Sequence, residues 1–228
     1  MKTAAYFSFL FCIVLCSYSC KKSTSYYYIR QGLKDYGQFA QGSSWIYKND
    51  STGGYDTVRA DSKVYEGMFY EQDFGFTAEL IMTHLNSSFL SEYKMSFECS
   101  PPLTKSMDGF SDKLEICIRV NDSTIRSYLS IWPDQQTGRE DPSPCLCPDG
   151  KCYLFKTEVL DSLTVNGNKF SNVLHSYLRS VNTTQTGIPI LRRDYYFVKK
   201  IGLVKLHEFD QLYGLNRSFS IVNWNILQ

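Results

Sequence analysis

After its first twenty residues the chain has no apolar run long enough to cross a bilayer as a helix, which takes roughly 20 consecutive apolar residues. An excess of charge of one sign is also missing. Lys plus Arg (24) and Asp plus Glu (23) nearly cancel, leaving a formal net charge of +1, so there is no basic field to recruit nucleic acid. Histidine is scarce: His84, His175 and His207 are too few and too scattered for a metal centre built on imidazole. The chain holds no His-Glu-x-x-His motif, no Gly-x-Ser-x-Gly elbow, no phosphate-cradling glycine loop and no calcium-loop pattern. These absences argue against the common metallopeptidase, hydrolase and nucleotide-binding chemistries, and no cofactor or metal is expected.

What the N-terminus does have is an export signal. Lys2 supplies charge, Ala4 to Leu15 is an apolar run of about 12 residues, and small or polar residues lead to Cys20. This is the layout of a bacterial lipoprotein signal, in which Cys20 becomes the lipid-bearing first residue of the mature protein. Ser17 stands where such signals usually carry Leu, which keeps an ordinary cleaved secretory signal as the alternative. The lipoprotein reading places the chain in the cell envelope, attached to a membrane through its N-terminal lipid, with the outer membrane (periplasmic or surface-exposed) as the expected site. Residues 1–20 are then the signal, 21–40 a tether and lead-in opening on a polar spacer, and 41–228 a single domain.

With Cys12, Cys16 and Cys20 assigned to signal and anchor, Cys99, Cys117, Cys145, Cys147 and Cys152 remain. In an exported protein these are expected to form disulfides, but their number is odd, so a monomer keeps at least one free thiol. Cys99 and Cys117 are candidates to bridge two predicted strands, and Cys145, Cys147 and Cys152 to close one small loop. Free thiols and a thiolate zinc site are the competing readings. The spacing Cys-x-Cys-x4-Cys is not a usual zinc knuckle, and an oxidising envelope favours disulfides.

The body of the chain is rich in Tyr (17) and Phe (15), residues that suit strands. Residues 44–48 and 55–65 flank the turn formers Asn49 to Gly54 and predict a hairpin. Residues 93–99 and 113–120 alternate apolar with polar, and 125–132 extends the meander. Residues 153–165 and 170–178 flank Asn166-Gly167-Asn168, the strongest short hairpin signal a sequence offers. Residues 192–199, 201–209 and 218–227 complete an antiparallel series. Residues 74–85 are ambiguous, since Phe76, Leu80, Ile81 and Leu85 fit a helical stripe while Phe74 and Phe76 alternate, with a lean toward strand. Residues 133–151 form a long Pro- and Cys-bearing loop, a type that in compact domains is often functional or mobile. The fold class expected is all-β, an antiparallel meander forming a sandwich or open barrel with little helix.

Several segments taken together resemble small β-rich cell-envelope lipoproteins of unknown function common in Bacteroidota. They are the signal ending Cys20-Lys21-Lys22, the Gly42 to Gly53 hairpin followed by Asp56-Thr57-Val58, the Leu163 to Phe170 hairpin with Val173 and His175, and the closing stretch Tyr195 to Lys205. The resemblance implies envelope location, lipid anchoring and an antiparallel β domain, and it brings no catalytic residue; the loop at 133–151 departs from the pattern. It also implies O-glycosylation at Asp followed by Ser or Thr, which points to Ser51, Thr57, Ser123 and Ser162. Plain turn chemistry is the alternative reading of the same dipeptides.

Two residues are candidates for ligand contact: Trp132, as an aromatic beside the long loop, and His207, beside Glu208. Tyr26-Tyr27-Tyr28 and Tyr195-Tyr196 are further aromatics able to stack on a sugar or fill a core. Asp134, Glu140 and Asp141 supply loop carboxylates of the kind a glycosidase needs at a fixed separation. The reading of the sequence is therefore a lipid-anchored, non-enzymatic binding or structural module with a glycan or envelope-protein partner. A glycan-directed hydrolase using loop carboxylates, or an accessory subunit of a surface complex, are the alternatives.

Overall fold

The computed structural model describes residues 25–29, 31–71, 76–87, 92–100, 111–119, 129–131, 141–142, 153–180, 190–211 and 214–227. The strands are β1 (Ser25–Tyr27), β2 (Ser44–Asn49), β3 (Tyr55–Glu71), β4 (Phe76–Asn86), β5 (Glu92–Ser100), β6 (Ser111–Arg119) and β7 (Leu129–Ile131). They continue with β8 (Asp141–Pro142), β9 (Tyr153–Val165), β10 (Asn168–Ser180), β11 (Leu191–Val198), β12 (Gly202–Asp210) and β13 (Leu215–Asn225). The one described helix, α1, is the single turn Gln31–Lys34.

Among the described residues all strands belong to one sheet, ordered β7-β6-β5-β4-β3-β2-β13-β12-β11-β10-β9-β8. Neighbours along this path are antiparallel. The chain thus runs as two meanders, joined where the last strand, β13, pairs with β2. Only β1 is parallel, lying beside the first residues of β4, beyond the point where β5 leaves it.

The sheet cannot be flat. Its two edges, β7 and β8, are joined by residues 132–140, a connection that reaches at most about 36 Å. Twelve strands side by side at ~4.8 Å would span about 50 Å, so the sheet must curl. The curl is visible at the other end of the second meander. Asn166 Nδ2, in the β9–β10 turn, donates to the carbonyl of Ile221 on β13 at 2.9 Å, although β11 and β12 lie between those strands. Phe170 and Trp224 close the same gap with ring centroids 5.6 Å apart. This is the open-barrel form of the expected all-β fold, and register breaks in β2–β13, β3–β4 and β11–β12 supply bulges that tighten the twist.

The concave core contains Trp45, Tyr47, Val58, Ile81, Leu85, Val173, Leu174, Tyr195, Phe197, Leu206, Phe219 and Ile221. The lead-in packs into it through Ile29, Leu33, Tyr36 and Phe39. Phe39 lies edge-on to Trp45 at 4.9 Å and presses on the backbone of Gly202, where an added Cβ would sit 2.9 Å from the ring. Gly202 also has φ of 92°, a left-handed value that favours glycine. Trp45 Nε1 then donates to the carbonyl of Ile201 at 2.6 Å, so the start of β12 is held from two sides.

Residues 76–86 form a strand. The ambiguity had a simple origin: Ile81 and Leu85, both fully buried, are four apart, an even number that satisfies the period of a strand as well as the turn of a helix. The second hairpin turns on Asn166 and Gly167 alone, with φ of 46° and 83°, the two positive values a type I′ turn requires; Asn168 already belongs to β10.

Candidate functional site

The second meander carries charge on both faces of its strands. On the outer face, register places Glu158 of β9 opposite His175 of β10, His175 opposite Tyr196 of β11, and Asp194 of β11 opposite His207 of β12. His175 Nδ1 lies 3.0 Å from Glu158 Oε1, and its Nε2 lies 3.0 Å from Asp194 Oδ1. Ionised carboxylates only accept, so both bonds form at once only on the doubly protonated ring. That ring is stacked flat on Tyr196, with centroids 4.3 Å apart and planes 2° from parallel. Asp194, 2% exposed, also accepts Arg192 Nε at 2.7 Å and Arg179 Nη2 at 3.5 Å, while Arg179 lies over the Tyr177 ring.

These contacts fix the ionisation of the carboxyls. Burial would raise the pKa of Asp194, but hydrogen bonds from His175 and Arg192 outweigh it and hold the carboxyl well below the usual range. Glu158 is lowered chiefly by its hydrogen bond from His175, against a smaller opposing effect of burial. Tyr196 is raised, first by burial and then by the charge of Asp194.

The inner face holds a second constellation, deeper than the first. Glu208 accepts Tyr195 Oη at 2.5 Å and Arg217 Nε at 2.5 Å, and pairs also with Arg217 Nη2. Arg193 sits with its Nε 3.8 Å from Glu208 and its Nη2 3.3 Å from Asp210. Glu208, Asp210 and Arg193 are all under a tenth exposed, and Tyr195 is fully buried. Burial first, and then the charge of Glu208, push the Tyr195 hydroxyl well above its ordinary pKa. Both constellations are sets of ion pairs, in which Arg179 Nε and Arg193 Nε have no hydrogen-bond partner among the described residues. Among the described residues no group of three His, Cys, Asp or Glu is arranged to hold a metal. An open depression of about 820 Å³ on the described surface is lined by Gln31, Gln38, Phe39, Lys200, Ile226 and Leu227.

The residues singled out from sequence are dispersed. His207 is about a third exposed at the rim of the outer constellation, its Nδ1 3.8 Å from Asp194 Oδ2. Ser51, Thr57 and Ser162 are exposed. The aspartate before Ser51, Asp50, accepts the hydroxyls of Ser218 and Ser220 at 2.6 and 2.9 Å, tying the β2–β3 turn to β13. Cys20, Ser123, Trp132, Asp134, Glu140, Cys145, Cys147 and Cys152 lie outside the described residues. Register sets Cys99 opposite Asp112 and Cys117 opposite Lys94. The side chains of both cysteines lie outside the described ones.

Sequence reasoning passed over Glu158 and Asp194, and noted Glu208 only as the neighbour of His207. The available signal was the run Arg192-Arg193-Asp194 inside an otherwise aromatic strand, where charge falls on both faces in succession.

No protein-family model matches the chain, and no curated protein matches it. Two solved structures are similar to it. One is a proposed lipoprotein from Parabacteroides distasonis, 10% identical, with a TM-score of 0.34, the match covering 82% of this chain and 96% of that one. The other is a proposed exported protein with a YmcC-like fold from Bacteroides fragilis, 9% identical, with a TM-score of 0.37, covering 82% and 97%. Likeness at this level is coarse and assigns no activity.

Proposed function

We propose that the chain is a lipid-anchored protein of the cell envelope, held at the outer membrane through Cys20, and that its β domain is a non-enzymatic binding or structural module for a glycan or envelope-protein partner. Export and anchoring rest on the signal pattern of residues 1–20. The module reading rests on one observation: among the described residues, neighbouring carboxylates are bridged by a side chain, Glu158 and Asp194 by His175 and Glu208 and Asp210 by Arg193. A glycosidase instead keeps its carboxyl pair apart across room for the sugar and water.

Metabolic labelling with an alkyne fatty acid tests the anchor. The wild type is expected to carry label and Cys20→Ala to carry none; equal labelling of the two would overturn it. Incubation of the purified protein with envelope glycans tests the module, with release of new reducing ends as the result that would establish the hydrolase instead.

A further inference from the structure

We infer that the edge of the domain formed by β1 and the start of β4 lies against the bilayer, with Tyr26 and Tyr28 seated in the headgroup region. The inference rests on the lipid-anchor reading and adds an orientation to it. Ser25, the first residue of β1, comes five residues after Cys20, so the folded edge stands no more than about 18 Å from the lipidated residue. That is too short for a stalk that would hold the domain clear of the membrane.

The edge is also firmly attached to the fold. β1 hydrogen-bonds to Phe76–Ala78 of β4 in register, and a single carboxylate locks its exit: Glu79 accepts the Ile29 amide at 2.8 Å and Lys34 Nζ at 2.7 Å. Ile29 is buried beneath it. Yet the tyrosines three and five residues before α1 begins are left out of the core: Tyr28 is 67% and Tyr26 61% exposed, against full burial for Tyr195. Tyr26 lies on one face of β1 by its register with Thr77 of β4, and Tyr28 follows one residue past the strand's end. Met68, opposite Glu79 on β3, is a further exposed apolar residue on that face by register. A rigid edge that presents an apolar ring with a polar tip, twice, at the point of lipid attachment has the chemistry of an interfacial aromatic anchor.

The test uses the lipidated full-length mature protein in vesicles of phosphatidylethanolamine and phosphatidylglycerol containing lipids spin-labelled near the headgroup. Tyr26→Trp and Tyr28→Trp each add a fluorophore to the native Trp45, Trp132 and Trp224. Tyr55→Trp is the control, since Tyr55 is 60% exposed but begins the 17-residue strand β3, whose far end pairs with the start of β4, the strand that β1 joins. The added emission at 26 and 28 is expected to fall at least twofold in spin-labelled vesicles and that at 55 to stay unchanged, with circular dichroism confirming the fold of each variant. If intact mass shows the lipid on Cys20 and emission at 26 and 28 is quenched no more than at 55, the docking is wrong while the anchor stands. If the mass shows no lipid, the anchor reading fails and the orientation falls with it.

Discussion

Glu208→Gln is the substitution that most directly tests how the second meander is held. The change keeps the shape of the side chain and removes one negative charge from a set that is otherwise neutral: Glu208 and Asp210 against Arg193 and Arg217. Glu208 is only 2% exposed and Arg193 8%, so water cannot replace the lost partner. Breaking a buried pair by deleting one member leaves an uncompensated charge and costs about 3–5 kcal/mol. In urea this corresponds to a fall in midpoint of about 1–2 M for a domain of this size. An exposed carboxylate gives the contrast. Asp61, 56% exposed and 3.7 Å from His84, is expected to tolerate Asp61→Asn within about 0.5 kcal/mol. The double variant Glu208→Leu/Arg217→Met removes both partners together, and its cost is expected to be smaller than the sum of the two single changes by about 1–3 kcal/mol. A loss below about 1 kcal/mol for Glu208→Gln, or additive single and double costs, would refute the account of a coupled buried network.

Other expectations follow from the same physical reading. Gly202→Ala forces a side chain into a left-handed backbone and against Phe39, and is expected to cost about 2–4 kcal/mol by thermal or urea unfolding; a neutral result would mean the lead-in is not locked at that point. Asp194 and Glu158 have folded pKa values below their ordinary 3.8 and 4.5, so their contribution is complete above those values and is lost as pH falls through the lower folded ones. His175→Gln removes the bond that lowers both, so its acid-unfolding midpoint is expected at higher pH than that of the wild type. Tyr195 is raised instead. Its contribution is complete below its ordinary value of 10.0, and stability then declines by up to about 1.4 kcal/mol per pH unit as the unfolded chain alone loses the proton. Tyr195→Phe, followed by urea titrations from pH 9 to 11, should show a shallower decline, and an unchanged slope would contradict the burial of that hydroxyl.

The elements themselves were legible because strands leave local marks. Alternation over 93–99, the turn pair Asn166-Gly167 and the turn cluster from Asn49 to Gly54 each act within a few residues, and β5, β10 and the β2–β3 hairpin stand where those marks put them. Residues 25–40 were harder to read, since an apolar spacing of Ile29, Leu33, Tyr36 and Phe39 says that something is covered without saying what. Charged residues within a strand have no local signature of their partners at all.

By itself, then, the sequence determined the all-β class and the hairpin turns, since these depend on composition and short-range spacing. Tertiary structure alone decided that β13 returns to β2, that the sheet curls far enough for Asn166 to reach Ile221, and that Glu158, His175 and Asp194 meet on three strands. Those are facts of register and curvature between residues as far apart in the chain as Ser44 and Asn225, and pairing of that kind is set by the closing of the whole sheet rather than by any window along it.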